Sequence, residues 1–236
     1  MILAGIHPVA EALRAGRPLE RILVAKGAGG PRLQEIIDLA RNSSIPLRFE
    51  PRPALDRLAG SAAHQGVVAL GAAQKYRTLE DISLTARMLV FLDGVEDPHN
   101  LGAIIRTAHA AGADAVVIPE RRAAGLTDTV AKAAAGALEH LPVVRVGNLN
   151  RALDELKRQG FSVYGLDERG AVNYDELAYN SPSALVFGGE GSGLHDMVRK
   201  RCDAIVRIPL VGKIPSLNVS VAAGIVLFDW KRRLSA

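Results

Sequence analysis

Residues 88–112, MLVFLDGVEDPHNLGAIIRTAHAAG, decide the fold class, because they join a short apolar run to a helical pattern through a polar loop. Met88–Leu92 is typical of a buried strand, and Leu101–Ala111 carries apolar residues at helical spacing until Gly112. Open sheets of parallel strands hold their ligands where strands end in such loops. The stretch predicts an α/β domain with a binding site near residues 93–100.

The same alternation of strand and helix patterns continues to the end of the chain. Further strands are predicted at Ala115–Ile118, Val143–Val146, Phe161–Leu166, Ala184–Phe187 and Ile205–Ile208, and helices at Thr127–Leu138, 148–159, after Leu194 and at Leu217–Arg232. Alternation of this kind favours a mostly parallel sheet with helices on both faces.

The first third of the chain predicts a separate, smaller α/β domain. Helices are predicted to begin near Pro8, Pro31 and Pro53, and strands to lie at Arg21–Ala25, Pro46–Phe49 and Gly66–Leu70. Residues 73–87 show no apolar periodicity. We therefore predict a domain at 1–72, a linker at 73–87 and a second domain at 88–236.

Composition limits the class of protein. Apolar residues make up 48% of the chain and charged residues 23%, which suits a folded protein with a large core. Cys202 is the single cysteine, so an internal disulfide and a cysteine metal cluster are excluded. The first residues lack the pattern of a signal peptide, and no apolar run reaches the roughly 20 residues of a membrane span. A soluble, cytoplasmic protein without a metal is predicted.

The charge is compatible with a nucleic-acid partner. The net charge is +4, and residues 1–72 hold nine basic and six acidic residues, hence 9 − 6 = +3 of it. Phe49 is the one aromatic residue there, so an RNA would be bound through its backbone and shape rather than by stacking. An ordinary solvated surface is the alternative. For Arg121-Arg122, a solvated loop is favoured over an RNA contact.

Three stretches carry polar or glycine residues that packing alone would not select. In the first, Asn100 stands where a helix cap would fall, and Arg106 lies in the helix that follows. Taken alone, Asn100 is explained by capping, and Arg106 by exposure to solvent or by a structural ion pair. The third stretch places Ser216, Asn218 and Ser220 at the start of an apolar helix, where Ser216 could be a simple N-cap.

The second stretch is the glycine-rich segment GGEGSGL at 188–194, directly after a predicted strand. Glycines there allow the main chain to approach a ligand closely. The dinucleotide pattern GxGxxG fails at Leu194 or Glu190, according to where it begins, and a phosphate loop would need Lys-Ser/Thr after Gly193. Because Glu190 would repel a phosphate, a neutral or cationic ligand is favoured.

Together the three stretches, DPHNLGAIIRTA (97–108), GGEGSGL (188–194) and IPLVGKIPSLNVSVAAGI (208–225), resemble the three motifs of the SpoU (TrmH) family of RNA ribose 2′-O-methyltransferases. They occur in the family's order, and the likeness covers residues 88–234. The segments GIHPV (5–9), RILV (21–24) and HQGVVA (64–69) resemble the family's L30e-like substrate-binding domain. The likeness is closest to enzymes that methylate a guanosine ribose in the peptidyl-transferase region of 23S rRNA.

The resemblance implies a catalytic α/β domain whose C-terminal segment forms a deep trefoil knot, with S-adenosylmethionine as the cofactor. It also implies a homodimer joined through the knot region, in which the second subunit helps to build the site. The positions that it assigns to cofactor binding are Gly188, Gly189, Ile208, Leu210 and Leu217.

The positions that match the family's catalytic residues are Asn100, Arg106, Glu190, Ser216 and Asn218. In such enzymes an arginine of the first motif is proposed to activate the ribose hydroxyl. A guanidinium has no acceptor and stays protonated, so Arg106 more plausibly stabilises negative charge on the oxygen. Our hypothesis is that Asn100 and Glu190 orient Arg106, while Ser216 and Asn218 hold the main chain and the target ribose.

Three alternatives remain open. The substrate could be tRNA or another rRNA site, although simpler tRNA enzymes of this type lack the N-terminal domain. A non-catalytic RNA-binding or assembly protein is a second alternative, which would have no reason to keep Asn100, Arg106, Glu190 and Asn218 together. A nucleotide-dependent oxidoreductase is the third, and the glycine patterns speak against it.

Overall fold

A computed structural model describes residues 2–71, 76–82, 86–191, 193–213 and 216–234. The strands are β1 (Ile2–Ala4), β2 (Leu19–Ala25), β3 (Leu47–Glu50), β4 (Val67–Gly71), β5 (Met88–Asp93), β6 (Ala115–Pro119), β7 (Val143–Val146), β8 (Ser162–Leu166), β9 (Val172–Asn173), β10 (Ser183–Gly188) and β11 (Ala204–Arg207). The helices are α1 (Ile6–Arg14), α2 (Pro31–Asn42), α3 (Arg52–Ala59), α4 (Pro98–Ala111), α5 (Asp128–Ala134), α6 (Leu149–Arg158), α7 (Asp196–Arg199) and α8 (Val219–Leu234).

The chain divides into two compact units, one of residues 1–75 with 126–140 and one of residues 76–125 with 141–236. The boundaries predicted at 72 and 88 stay a prediction. Of the predicted linker, residues 73–75 and 83–85 lie outside the described residues. Its described part belongs to the second unit, where the Arg77 amide donates to Val143 O at 2.9 Å. Leu79 and Ile82 pack on the core of that unit.

The first unit is a small mixed sheet covered by helices. Its strand order is β1-β4-β2-β3, in which β2 and β3 are parallel and the other pairs antiparallel. Leu23 of β2, Val68 of β4 and Leu55 of α3 are buried together in its core. Strand β1 was not anticipated, since three residues are too few to show a periodicity.

Residues 126–140 pack within the first unit, although they connect two strands of the second. The Arg17 guanidinium and the Glu139 carboxylate form an ion pair at 2.6 Å, with both side chains less than a tenth exposed. The amide of Ile2 donates to Asp128 Oδ1 at 2.8 Å. The predicted helix Thr127–Leu138 is wrong in its length, because Ala135 and Gly136 adopt left-handed conformations and divide it into α5 and a 3₁₀ turn at Ala137–Glu139.

The second unit holds a seven-stranded sheet in the order β7-β6-β5-β10-β8-β11-β9, and every pair in it is parallel. All residues of β5 are buried, as expected for a strand covered on both faces. Leu89 and Phe91 pack against Leu153 and Leu156 of α6. The predicted parallel α/β sheet is confirmed.

The knot that the resemblance implies stays a prediction, because residues 192, 214 and 215, in the motif segments that would form it, lie outside the described residues. Among the described residues, no helix is both long and apolar enough to cross a membrane.

Candidate active site

Three parallel strands end together at one edge of the large sheet. In the register of β5 and β10, Gly188 stands opposite Asp93. On the other side of β10, Phe187 stands opposite Leu166 of β8. The loops after these strands, including the glycine segment 188–194, therefore meet at the carboxyl edge, where open sheets hold ligands.

Gly188 and Gly189 are required by contacts between these loops. A Cβ on Gly188 would lie 2.2 Å from the carbonyl carbon of Gly193, and one on Gly189 would lie 2.0 Å from the carbonyl oxygen of Gly94. The amide of Gly189 also donates to the main-chain oxygen of Asp93 at 2.7 Å. The sequence-based explanation, approach to a ligand, is thus incomplete, since protein main chain already fills the space that a side chain would need.

Asp93 fastens the end of β5 to the residue that follows the glycine segment. Its Oδ2 accepts from the main-chain amide of His195 at 2.8 Å, and its Oδ1 lies 2.9 Å from His195 Nδ1. Because a carboxylate oxygen can only accept, Nδ1 carries the hydrogen of this bond. The Asp93 side chain is 8% exposed, whereas that of His195 is 41% exposed.

Asp167, which follows β8, fastens the end of that strand to the glycine segment. Its Oδ2 accepts from the amide of Leu194 at 3.2 Å, and both its oxygens bind the Arg169 guanidinium at 2.7 Å. Hydrogen bonding from Arg169 lowers the pKa of Asp167 to about 2, although burial opposes the shift. The sequence reasoning missed both aspartates. The signal was present, because each follows a leucine at the end of a buried strand, in Leu92-Asp93 and Leu166-Asp167.

A cavity of about 180 Å³ lies between the glycine segment and the segment that follows β11. Its lining contains every residue that the resemblance assigns to the cofactor, namely Gly188, Gly189, Ile208, Leu210 and Leu217, and also Glu190 and Ser216. Leu166, Phe187, Val219 and Ala222 add apolar surface to it. A largely apolar cavity with few polar groups is what binding a small organic ligand requires.

Asn100, Glu190 and Asn218 form one hydrogen-bonded cluster beside this cavity. The Asn100 amide donates to Glu190 Oε1, and Asn100 Oδ1 accepts from Asn218 Nδ2 at 2.9 Å. Asn218 Oδ1 in turn accepts from the Ser220 amide and hydroxyl at 2.9 and 2.6 Å. Asn100 is 6% exposed, so these bonds hold its side chain in one orientation.

The capping explanations for Asn100 and Ser216 are wrong. The cap of α4 is Asp97, whose side chain accepts from the His99 amide at 2.9 Å, and Asn100 lies in the first helical turn. Asn218 directly precedes α8 and accepts from its second amide, which is the position of a cap. Asn100 therefore has the cluster as its explanation, and Ser216 remains a lining residue of the cavity.

A second cavity, of about 330 Å³, lies on the other side of Glu190. It is lined by Gly94, Val95, Glu96, Asp97, Asn100, Arg122, Glu190 and His195. Since Glu190 lines both cavities, it stands where a ligand in one would meet a ligand in the other.

Arg106 is not brought to this cluster within one chain. It is exposed on α4, belongs to the lining of neither cavity, and has no hydrogen bond or ion pair within the part of the chain that the structure describes. Asn100 and Glu190 thus bind each other and Asn218 rather than Arg106. The described residues also contain no group of three or more His, Cys, Asp or Glu that could hold a metal.

Two family profiles match the chain and together cover most of it. The SpoU rRNA Methylase family matches residues 87–228. The domain described as RNA 2′-O ribose methyltransferase substrate binding matches residues 2–77.

Individual proteins agree with these profiles. The chain is 43% identical over 235 residues to YacO of Bacillus subtilis (strain 168), a protein assigned to the TrmH family of tRNA/rRNA methyltransferases, with 97% of this chain and 94% of YacO covered. The structure is similar to that of the SpoU methyltransferase AviRb from Streptomyces viridochromogenes with AdoMet, with a TM-score of 0.83, 27% identity, and 100% and 91% of the two chains covered.

An AdoMet-bound rRNA methyltransferase from Sinorhizobium meliloti is similar to the same degree, with a TM-score of 0.84, 27% identity, and 99% and 87% of the two chains covered. These matches confirm the predicted family, whereas the finer likeness to enzymes of 23S rRNA guanosine stays a prediction. The chain belongs to the SpoU rRNA methylase family.

Proposed function

We propose that this protein transfers a methyl group from S-adenosylmethionine to a ribose 2′-oxygen of RNA, with a guanosine of 23S rRNA as the target. One observation carries the proposal. The residues assigned to the cofactor line a single cavity, and Glu190 connects that cavity to the cluster of Asn100 and Asn218.

The first cavity fits S-adenosylmethionine by its chemistry. Leu166, Phe187 and Ile208 offer apolar walls for an adenine ring, and Glu190 offers a carboxylate to the sulfonium cation. Among the described residues that line the cavity there is no lysine or arginine, which favours a cationic ligand over a polyphosphate. When bound, S-adenosylmethionine supplies an electrophilic methyl group.

The cluster orients a ribose for this chemistry. Asn100 is fixed by bonds through both ends of its amide, so the Glu190 carboxylate that it binds is also held in place. A carboxylate accepts hydrogen bonds, which a guanidinium cannot do. Glu190 accordingly accepts a hydrogen bond from the ribose 2′-hydroxyl. It takes up the proton of that hydroxyl as the 2′-oxygen gains the methyl group. Arg106 stabilises the negative charge that develops on that oxygen.

Arg106 reaches the site from a second subunit in this proposal. Its exposure and its absence from both cavity linings within one chain support an action on the partner's site. Val221 and Phe228 of α8 are each about half exposed and stand seven residues apart, hence on one helical face. A homodimer through α8 and the predicted knot region would cover this apolar face.

Mixing two inactive variants tests the shared site. Arg106→Ala should nearly abolish turnover while the Kd for S-adenosylmethionine stays close to that of the wild type. Asn100→Asp should also be inactive. In a mixture of the two, each heterodimer has one site with an intact Asn100 and the partner's intact Arg106, so about a quarter of wild-type activity should return. No recovery in co-refolded mixtures shown to contain heterodimers would contradict the shared site.

The substrate is tested with tritium-labelled S-adenosylmethionine and separate pools of unmodified 23S rRNA, 16S rRNA and tRNA. Label confined to 23S rRNA is the expected result. Label in tRNA would support methyl transfer to RNA but reject 23S rRNA as the substrate. If no pool is labelled, assembling large-subunit particles are tested next; cofactor binding without label there as well would favour a non-catalytic RNA-binding protein.

A further inference from the structure

A basic loop shares its cavity with the catalytic cluster. The second cavity, which contains Asn100 and Glu190, is continuous in its lining with a third cavity of about 270 Å³, because Gly94, Arg122 and His195 belong to both. The third cavity is also lined by Arg121. Two arginines and a histidine thus line one groove, which begins at Asn100 and Glu190.

The arginine loop is held in place by its main chain. After β6, the amide of Glu120 donates to Val146 O at 2.9 Å, and the amide of Ala124 donates to Val95 O at 2.9 Å. Between these two anchors, Arg122 has a φ of 56°, in the left-handed region that a non-glycine residue rarely adopts. A strained conformation that main-chain hydrogen bonds hold on both sides is typical of a residue whose side-chain direction matters for function.

The cationic groups of this groove are not used by the protein itself. Arg121 and Arg122 are exposed, and within the described residues neither has an ion pair or a side-chain hydrogen bond.

The acidic groups are distributed unevenly between the two cavities. Of the second and third cavities, only the second is lined by Glu96, Asp97 and Glu190, next to Asn100. The carboxylate in the lining of the third cavity is Asp93, and His195 occupies both its oxygens. An anion is therefore favoured at the Arg121 end of the groove and disfavoured at the Asn100 end.

We propose that Arg121 and Arg122 form a subsite for the backbone phosphate of the nucleotide next to the target ribose. This inference rests on the proposed function, since the ribose beside Asn100 places the neighbouring phosphate in the groove. The solvated-loop interpretation of Arg121-Arg122 is the alternative to this proposal. The subsite fixes the position of the strand and does not read its sequence, because a phosphate carries no base identity.

The test is RNA binding as a function of salt, measured by fluorescence anisotropy. The probes are a fluorescein-labelled fragment of unmodified 23S rRNA and, in parallel, an unmodified tRNA. Arg121→Ala and Arg122→Ala are compared with Arg122→Lys, which keeps the charge. The matched control is Arg158→Ala, because Arg158 is exposed on the same unit and lines none of these cavities.

Arg122→Ala and Arg121→Ala should each weaken binding about tenfold at low salt and reduce the slope of log Kd against log salt by about one. Arg122→Lys should restore most of the slope. The Kd for S-adenosylmethionine and the thermal midpoint should stay at wild-type values, and Arg158→Ala should leave every quantity unchanged.

The outcomes separate the two proposals. A wild-type slope in Arg122→Ala, with normal methyl transfer, overturns the subsite alone. Wild-type protein that binds RNA with the expected variant effects but transfers no methyl group supports the subsite and overturns the proposed function. Failure of the wild-type protein to bind either RNA overturns both.

Discussion

The two walls of the cofactor cavity differ in how they are held. One wall is the glycine segment, whose described residues are 188–191, 193 and 194. It is fixed by the carboxylate of Asp167, by that of Asp93 through the following residue His195, and by main-chain contact with Gly94. The other is the segment 208–217, whose Leu210 and Leu217 are 39% and 40% exposed. Within its described residues 208–213, no hydrogen bond holds the main chain.

This difference indicates how the site works. The glycine wall is formed before any ligand arrives, which places Glu190 in advance and suits electrostatic preorganisation. The opposite wall leaves apolar surface in water, and covering that surface favours binding. We expect the ligand or the second subunit to complete the second wall.

The largest effect should come from a methyl group on the glycine wall. Gly189→Ala places a Cβ against the carbonyl oxygen of Gly94, so we expect a loss of about 3 kcal/mol in the free energy of unfolding and no measurable binding of S-adenosylmethionine. Gly191→Ala is the control, since its Cβ would meet no atom within 4 Å and only its φ of 78° is unfavourable, costing about 1 kcal/mol. Equal free energies of unfolding for the two variants would contradict the claim that main-chain contact fixes the glycine wall.

A charge at the cluster should have the next largest effect, on turnover. Asn100→Asp removes the donor to Glu190 and sets two carboxylates side by side, so kcat should fall about a hundredfold or more. The KM for S-adenosylmethionine should change little, because Asn100 does not line its cavity. Steady-state kinetics with labelled cofactor measure both values, and an unchanged kcat would remove Asn100 from the catalytic group.

Acid should weaken the hold of Asp167 on the glycine wall, because it protonates the Asp167 carboxylate. Its pKa in the folded protein, about 2, is below the ordinary value of 3.8, so its contribution is present above pH 4 and is lost as the pH falls towards 2. Urea unfolding should show Asp167→Asn less stable by at most about 2 kcal/mol at pH 7. The difference should shrink between pH 4 and 2. A difference independent of pH would show that the charge of Asp167 is not what stabilises the loop.

The smallest effect on stability is expected on the opposite wall. Leu210→Ala removes a side chain that is already partly exposed, so the free energy of unfolding should change by less than about 0.5 kcal/mol. The Kd for S-adenosylmethionine should nevertheless rise about tenfold, because the ligand loses that apolar contact. A large loss of stability together with unchanged binding would show that this wall, too, is fixed in advance.

Much of the fold could be predicted from local pattern. The strands that became β5, β6, β7, β8 and β10 were apolar runs between turn residues, and their alternation with helices predicted the parallel sheet correctly. Local pattern failed where one residue's conformation decides the structure, as at Ala135 and Gly136, which divide the helix after Thr127. It also failed for β9, whose two residues are defined by their pairing with β11.

The site was predictable from motifs and not from periodicity. Asn100 and Asn218 are 118 positions apart, and Asp93 and His195 are 102 apart, so no local pattern connects them. The motifs identified Asn100, Glu190 and Asn218 by their resemblance, and the fold brings these three together. Asp93, Asp167 and His195 were missed because their roles depend on which strands become neighbours in the sheet.

The most direct test of the central claim is the chemical position of the transferred methyl group. Unmodified 23S rRNA is incubated with the protein and S-adenosylmethionine, digested to nucleosides and analysed by mass spectrometry against authentic standards. The account predicts 2′-O-methylguanosine, formed by the wild-type protein and absent with Arg106→Ala. A methyl group on a base, or the same yield with Arg106→Ala, would contradict it.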